Sequence, residues 1–273
     1  MNGVRPDIVR DLRCPVCAAP LSPEGGTVRC AVGHSFDVAR QGYLNLSGGR
    51  AAAGDTAAMI AARAEFLAAG HYDFIGTALA SAAARTVAAD GLVVDLGAGT
   101  GHHTAAVLDA LPGRLGLALD SSTYALRRAA RAHPRLGAVA CDGWRRLPVR
   151  DGAAALVLDV FAPRNGAEFR RILAPGGALL VVTPEPAHLR ELVDALDLLA
   201  VDPDKDRRLD HALGAHFALV DSRVETRTLH LGPADVRRLV AMGPSARHTD
   251  PPPTDGLPAT TTVTAAIRLS TYR

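Results

Sequence analysis

No apolar run in this chain reaches about 18 residues without a glycine, a proline or a charge, so no membrane-spanning helix is expected. The opening stretch, Met1 to Leu12, is polar and lacks the hydrophobic run of a secretory signal. A strong charge of either sign is also missing. The net charge is +2, from 30 basic and 28 acidic residues, which excludes the global basic field of many nucleic-acid binders. Any RNA contact must therefore come from a local patch. Lysine is scarce beside abundant alanine, arginine and glycine, a pattern that fits GC-rich coding and carries no functional message. Cysteine is scarce too, with four in 273 residues. Three of them cluster near the start of a chain with no export signal, which favours metal binding over disulfides. These absences leave a cytoplasmic protein, long enough for one large domain and a small one.

The cysteine cluster comes first in the chain. Cys14-Pro15-Val16-Cys17 and Cys30-Ala31-Val32-Gly33-His34 are two knuckles, C-x2-C and C-x3-H, on either side of a hairpin with Gly25-Gly26 at its tip. Each knuckle puts two ligands on one tight turn, and two facing knuckles make a closed tetrahedral zinc site. Four protein ligands leave no open position, so Cys14, Cys17, Cys30 and His34 are expected to hold a structural Zn2+. Zinc would supply folding energy that so short a segment cannot draw from its own core. Gly48 to Gly54 reads as a flexible linker. From Asp55, as N-cap, a helix is expected to about Ala69, stopped by Gly70.

Further on, the apolar run Leu92 to Leu96 meets three glycines in Asp95-Leu96-Gly97-Ala98-Gly99-Thr100-Gly101, followed by a segment that reads as helix. Strand, tight turn and helix together present backbone N–H groups and a partial positive charge to an anionic ligand. The spacing is G-x-G-x-G, not the G-x-G-x-x-G of dinucleotide sites. It resembles motif I of the class I methyltransferases that use S-adenosylmethionine. Asp95 would face a cationic or hydroxylic part of the ligand. Leu115 to Asp120 reads as a second buried strand ending in an acid, placed to accept hydrogen bonds from ribose hydroxyls. Ala138 to Asp142 reads as a third strand, and by analogy Asp142 meets the adenine edge. Strand four is expected over Ala154 to Val160 and strand five over Ala178 to Thr183, after the Ala174-Pro175-Gly176-Gly177 turn. Asp202 to Asp210 is a charged insertion. Phe217 to Leu229 and Thr260 to Tyr272 alternate like two antiparallel strands around a helix from Pro233 to Met242. The fold class is α/β, a Rossmann-like methyltransferase domain with a small zinc ribbon before it. The expected division is 1–47 for the ribbon, 48–72 for linker and helix, and 73–273 for the methyltransferase domain.

Several segments together carry a closer likeness. The C-x2-C…C-x3-H-x-F-D ribbon, Gly42-Tyr43-Leu44-Asn45-Leu46, Gly54-Asp55 with Met59, and Phe66-Leu67-Ala68-Ala69-Gly70-His71-Tyr72 precede motif I in this order. The whole resembles the bacterial 23S rRNA (guanine-N1)-methyltransferases, and Met242 to His248 most resembles the macrolide (tylosin) resistance branch. The resemblance implies methyl transfer from S-adenosylmethionine to N1 of a guanine in a hairpin loop of 23S rRNA, and it points to a homodimer. It carries over Tyr72 and His188 as contacts of the cofactor or its neighbourhood. The expected cofactor set is then Tyr72, Asp95, Gly97, Gly99, Gly101, His103, Thr104, Asp120, Asp142 and His188. Asp159, at the end of strand four, is a weak candidate for a catalytic role, and no base is otherwise assigned. Arg40, Arg145, Arg146 and Arg247 are candidate phosphate contacts.

Rival chemistries fit less well. Asp159-Val160-Phe161-Ala162-Pro163 does not match the N/D-P-P-Y/F run of exocyclic-amine methyltransferases. Cys141 is not followed by the proline that partners the nucleophile of cytosine-C5 enzymes. A small-molecule methyltransferase of natural-product or quinone type is the alternative, but the zinc ribbon favours RNA. A non-catalytic zinc-containing RNA binder is disfavoured by the intact glycines, Asp120 and Asp142.

Overall fold

The computed structural model of the chain describes residues 4–48, 54–196, 212–243, 246 and 258–273. Its centre is an eight-stranded sheet in the order β10-β11-β9-β8-β5-β6-β7-β4. The strands are β4 (Tyr43–Asn45), β5 (Leu92–Leu96), β6 (Gly116–Asp120), β7 (Leu136–Ala140), β8 (Ala154–Val160), β9 (Leu173–Pro184), β10 (Leu219–Leu231) and β11 (Thr261–Tyr272). From β4 through β9 every pairing is parallel, while β11 is antiparallel to both neighbours. Strands β5 and β7 are buried at every position, and β6 and β8 at all but the last residue. Continuous apolar runs such as Leu92 to Leu96 are what strands covered on both faces require.

Alternation along each strand sends neighbours to opposite layers. Val94, Leu117 and Val139 pack with Ile8, Leu44 and Phe169 on one face. Val93, Ala118 and Leu156 pack with Phe66, Leu79 and Leu126 on the other. The second layer is built from α2 (Ala57–Ala68), α3 (Asp73–Thr86), α4 (His102–Ala110) and α5 (Thr123–Ala132). The first contains the short α1 (Pro6–Val9) and α6 (Gly166–Ile172). Helix α7 (Arg190–Leu196) follows β9, and α8 (Pro233–Ala241) lies between β10 and β11 in the chain.

Expected and observed elements differ in a few places. The N-cap of α2 is Thr56, whose hydroxyl accepts from Met59 N, not Asp55. Asp55 instead forms an ion pair with Arg63 at 2.5 Å. The third strand ends at Ala140, so Asp142 lies in the turn beyond it. Arg127, Arg128 and Arg131 lie exposed on α5, as a solvated face. The Asp202–Asp210 insertion, most of the linker expected at Gly48 to Gly54, and Arg247 fall outside the described residues.

Among the described residues, only β1 (Leu21–Glu24), β2 (Thr27–Cys30) and β3 (Ser35–Asp37) form a separate sheet. The chain on either side of them belongs to the large sheet. Before them, α1 covers β7, where a side chain at Gly137 would come within 2.9 Å of Ile8. Leu12 then bridges Val149, and Arg13 N donates to Pro148 O at 3.0 Å. After them, β4 pairs in parallel with β7, Leu44 opposite Val139. The ribbon is thus held to the large sheet at both its ends.

Candidate functional site

The two knuckles converge. Ligand atoms of Cys14, Cys17, Cys30 and His34 all lie within 4.8 Å of one another. Cys17 Sγ is 3.7 Å from Cys30 Sγ, and His34 Nδ1 is 3.3 Å from Cys30 Sγ and 3.6 Å from Cys14 Sγ. Zinc–sulfur bonds of about 2.3 Å in a tetrahedron put sulfurs roughly 3.8 Å apart, so this donor set fits zinc. Burial raises the Cys30 thiol pKa, but hydrogen bonds from His34, the Val32 backbone and Cys17 together outweigh it and bring it down to about 6. A thiol of that acidity is readily present as the thiolate that a metal needs.

The second centre lies at the C-terminal edge of the large sheet, where strand order reverses beside β5. Open α/β sheets bind ligands at such a switch point. Gly97, Gly99 and Gly101 have φ of +70°, +56° and +78°, conformations that L side chains rarely adopt. A side chain at Gly97 would also come within 2.6 Å of Ala162, and one at Gly101 within 3.1 Å of the Ala129 backbone. The loop is therefore fitted between β8 and α5. Asp120, at the end of β6, accepts from Gly99 N at 2.9 Å and Ser122 N at 2.7 Å. Its carboxylate ties the loop to α5 and has lone pairs left for a ligand's hydroxyls.

Asp95 tests the fit of the expected cofactor. Its Oδ2 accepts from Thr104 Oγ1, while its Oδ1 is buried with no hydrogen-bond partner among the described residues. Burial pushes its pKa up to about 7, with the Asp120 charge adding to the rise and Thr104 opposing it. A buried carboxylate oxygen beside a glycine-rich loop suits a cationic group such as the methionine ammonium of S-adenosylmethionine. Thr104 is fully buried, and its hydroxyl orients Asp95. His103 also turns inward, its Nδ1 3.9 Å from where a Gly76 side chain would begin on α3. Burial, then His102 and Arg63, lower its pKa to about 3, so its imidazole stays neutral.

Tyr72 and His188, 116 positions apart, meet at 3.3 Å between Oη and Nε2. Ala266 N donates to His188 Nδ1 at 3.2 Å. A neutral His188 therefore carries its proton on Nε2 and donates it to Tyr72 Oη. Burial raises the Tyr72 pKa, so the phenol keeps its own hydrogen and can donate it to a ligand. The Phe161 ring is 6.0 Å from His188, and Ala162 is the neighbour of Gly97 already noted. Gly97, Phe161, His188 and Tyr72 therefore follow one another around the crevice. Asp142, half-buried, accepts from Trp144 N at 3.0 Å and pairs with Arg145 at 3.3 Å. Its neighbour Gly143 sits against Leu96 at the end of β5. Asp159 is buried at the end of β8, level with Leu96 and Val181.

Two participants were not singled out from the sequence. Arg63 Nη2 donates to Met242 O at 2.9 Å, and its Nη1 lies 3.6 Å from where a Gly99 side chain would begin. It closes α2 over the glycine loop. Nothing in a lone helical arginine signals this, because its partners Asp55, Gly99 and Met242 come from three segments. Phe161 has φ of +55° and is 41% exposed. A non-glycine residue held there marks strain of the kind found at functional sites. Its only sequence signal was its place just after strand four.

Comparison with known proteins bears on the ribbon and on the methyltransferase fold. Residues 12–47 match the zinc-ribbon family model described as RlmA, N-terminal. A Micromonospora griseorubida protein assigned as a 23S rRNA (guanine-N(1)-)-methyltransferase is 55% identical over 293 residues, covering 99% of this chain and 99% of its own. The 23S rRNA (guanine(748)-N(1))-methyltransferase of Streptomyces fradiae is 53% identical, covering 91% of this chain and 90% of its own. A solved methyltransferase of Haloferax volcanii, in complex with the Trm112 activator, shares the fold with a TM-score of 0.50 at 18% identity, over 81% of this chain and 98% of its own. A glycine-loop crevice built for S-adenosylmethionine, a Cys3His ribbon built for structural zinc and near full-length identity above one half have one reading: the chain belongs to the 23S rRNA (guanine-N1)-methyltransferase family.

Proposed function

We propose that this protein methylates N1 of a single guanine in a hairpin loop of 23S rRNA, the guanine numbered 748 in the name of the Streptomyces fradiae relative. The observation that carries the proposal is the union of a ribbon and a crevice in one body. The root of the ribbon, Arg13, is bonded to the segment that follows the cofactor-edge turn at Asp142. In this reading residues 1–47 recognise RNA, 48–72 link the two parts, and 73–273 carry the chemistry.

When bound, S-adenosylmethionine supplies an electrophilic methyl group on a sulfonium centre. The glycine loop, Asp95, Asp120, Tyr72 and His188 are proposed to hold it, with Asp142 at its adenine end. Neutral guanine carries a hydrogen on N1, and that proton must leave as N1 becomes a nucleophile. Alignment of N1 with the methyl group in a partly dry crevice is the main contribution expected of the protein. Phe161, half-exposed beside His188, is placed to lie against the target base. Asp159 lies too deep to touch the base unless β8 shifts, so it is proposed to support the strand end.

A ribosomal substrate places the enzyme in the cytoplasm, and among the described residues no helix is long and apolar enough to cross a membrane. Likeness to the macrolide-resistance branch makes protection of the ribosome the proposed physiological role, with a homodimer as the working form. The test is methylation of unmodified 23S rRNA with labelled S-adenosylmethionine, followed by mass-spectrometric mapping. A single N1-methylguanine in one hairpin loop is expected. Label confined to other bases, or none in RNA despite cofactor binding, would sink the proposal.

A further inference from the structure

One large aromatic side chain has no part in the chemistry above. Trp144, the chain's single tryptophan, is 68% exposed. Its backbone is nevertheless held firmly. Its N–H donates to Asp142 Oδ1 at 3.0 Å, and Arg145 N donates to Asp142 O at 3.2 Å. The Asn165 amide, at the start of α6, donates to Gly143 O at 3.1 Å and Arg145 O at 3.2 Å, the carbonyls on either side of Trp144. Leu147 N donates to Glu168 Oε2 at 2.7 Å. A loop fixed from both sides presents an indole that packs against little of its own protein. Large aromatic surfaces left wet on a rigid support are suited to stacking on a partner.

Its surroundings indicate which partner. Arg145 and Arg146 follow it, with side chains 75% and 64% exposed. Among the described residues their ion pairs are with carboxylates at the surface, Arg145 with Asp142 at 3.3 Å and Arg146 with Asp151 at 3.7 Å. Such pairs are weak and exchange readily for phosphate. The loop begins beside Leu96 at the mouth of the crevice and runs on to Pro148, which bonds the root of the ribbon. It spans the gap between the two parts proposed to grip RNA.

We propose that Trp144 is a stacking platform for an unpaired RNA base neighbouring the target guanine, with Arg145 and Arg146 on the adjoining phosphates. This rests on the RNA-methyltransferase reading. Bases of single-stranded loops splay out and stack on aromatic rings, with little sequence preference. Asn165 is a positioning residue, because it fixes the carbonyls that aim the indole.

The single tryptophan gives a direct test. Its fluorescence is followed while a hairpin fragment of 23S rRNA is added to the full-length zinc-loaded protein, with and without S-adenosylmethionine. RNA is expected to quench it, and the cofactor alone to leave it largely unchanged. Trp144→Ala is expected to weaken RNA affinity about tenfold or more. The same variant should keep cofactor affinity and thermal stability, and Trp144→Phe should recover most of the loss. Quenching by cofactor alone, with cofactor affinity lost in Trp144→Ala, would make the indole an adenine contact and overturn the proposal. Unchanged RNA affinity in Trp144→Ala would overturn it too. A tryptophan signal that follows protein dilution and ignores RNA would assign the surface to a second copy of the chain. A wild-type protein that neither binds nor methylates the fragment would instead strike the function proposed above.

Discussion

The ribbon and the sheet it is attached to are stabilised in different ways. Sheet strands such as β5 bury every residue between two helical layers, and the apolar area removed from water can support the fold. The ribbon strands bury little: β1 has one buried residue in four and β3 none. What converges there is four metal ligands. The same chain therefore uses hydrophobic burial where it has the residues for two layers, and coordination where it has not. The difference bears on function, since a metal-held ribbon keeps its outer surface free for contacts. Val16 and Val32, on the two knuckles, are more than 60% exposed.

Removing the metal should separate the two parts most strongly. Structural zinc contributes on the order of 10 kcal/mol to such sites, so Cys30→Ser or a strong chelator is expected to unfold β1 to β3. Hydrogen exchange should show protection lost over residues 21–37 and kept over β5 to β8. Equal loss in both would mean that the sheet depends on the ribbon. A smaller, opposite effect is expected from Leu79→Ala, which empties a fully buried position in α3. A cost of about 2–5 kcal/mol should lower the denaturant midpoint of the sheet while zinc content per folded molecule stays constant.

The mildest test concerns the crevice alone. The Asp95 pKa is raised to about 7 from an ordinary value of 3.8. Its protonated form is therefore favoured by folding, and that contribution, fully present below pH 3.8, is lost as pH rises through about 7. A cationic ligand requires the ionised form, so cofactor affinity should rise roughly tenfold between pH 6 and 8. Asp120, whose pKa burial also raises, faces the same region. Asp95→Asn should bind more weakly and with a flat profile between those limits. Calorimetric titration at several pH values decides it, and a profile unchanged by Asp95→Asn would remove Asp95 from the ligand.

Local patterns carried much of this molecule. The knuckles, the G-x-G-x-G turn and Asp120 at the end of its strand were legible because spacing alone places those groups, whereas Asp142 falls in the turn beyond its strand. Strand β6 begins one residue from its expected start and ends on Asp120 as expected. Parallel pairing leaves no such local mark. Nothing in Tyr43-Leu44-Asn45 shows that these three residues close the edge of a distant sheet, so the ribbon read as a more separate unit than it is. Tyr72 and His188 were carried over one at a time, and their contact with each other depends on β11 supplying Ala266. Trp144 was invisible for a related reason: exposure is decided by what fails to pack on a residue, which spacing does not encode.

The pairing of β4 with β7 also sets an order of events during synthesis. The knuckles and their hairpin need only near neighbours and a metal ion, so they can close while most of the chain is still being made. Tyr43 must wait for Ala138, 95 residues later, and Leu12 for Val149, 137 residues later. The N-terminal module is therefore a finished piece awaiting its dock, and until β7 emerges one end of the nascent sheet has no edge to receive it.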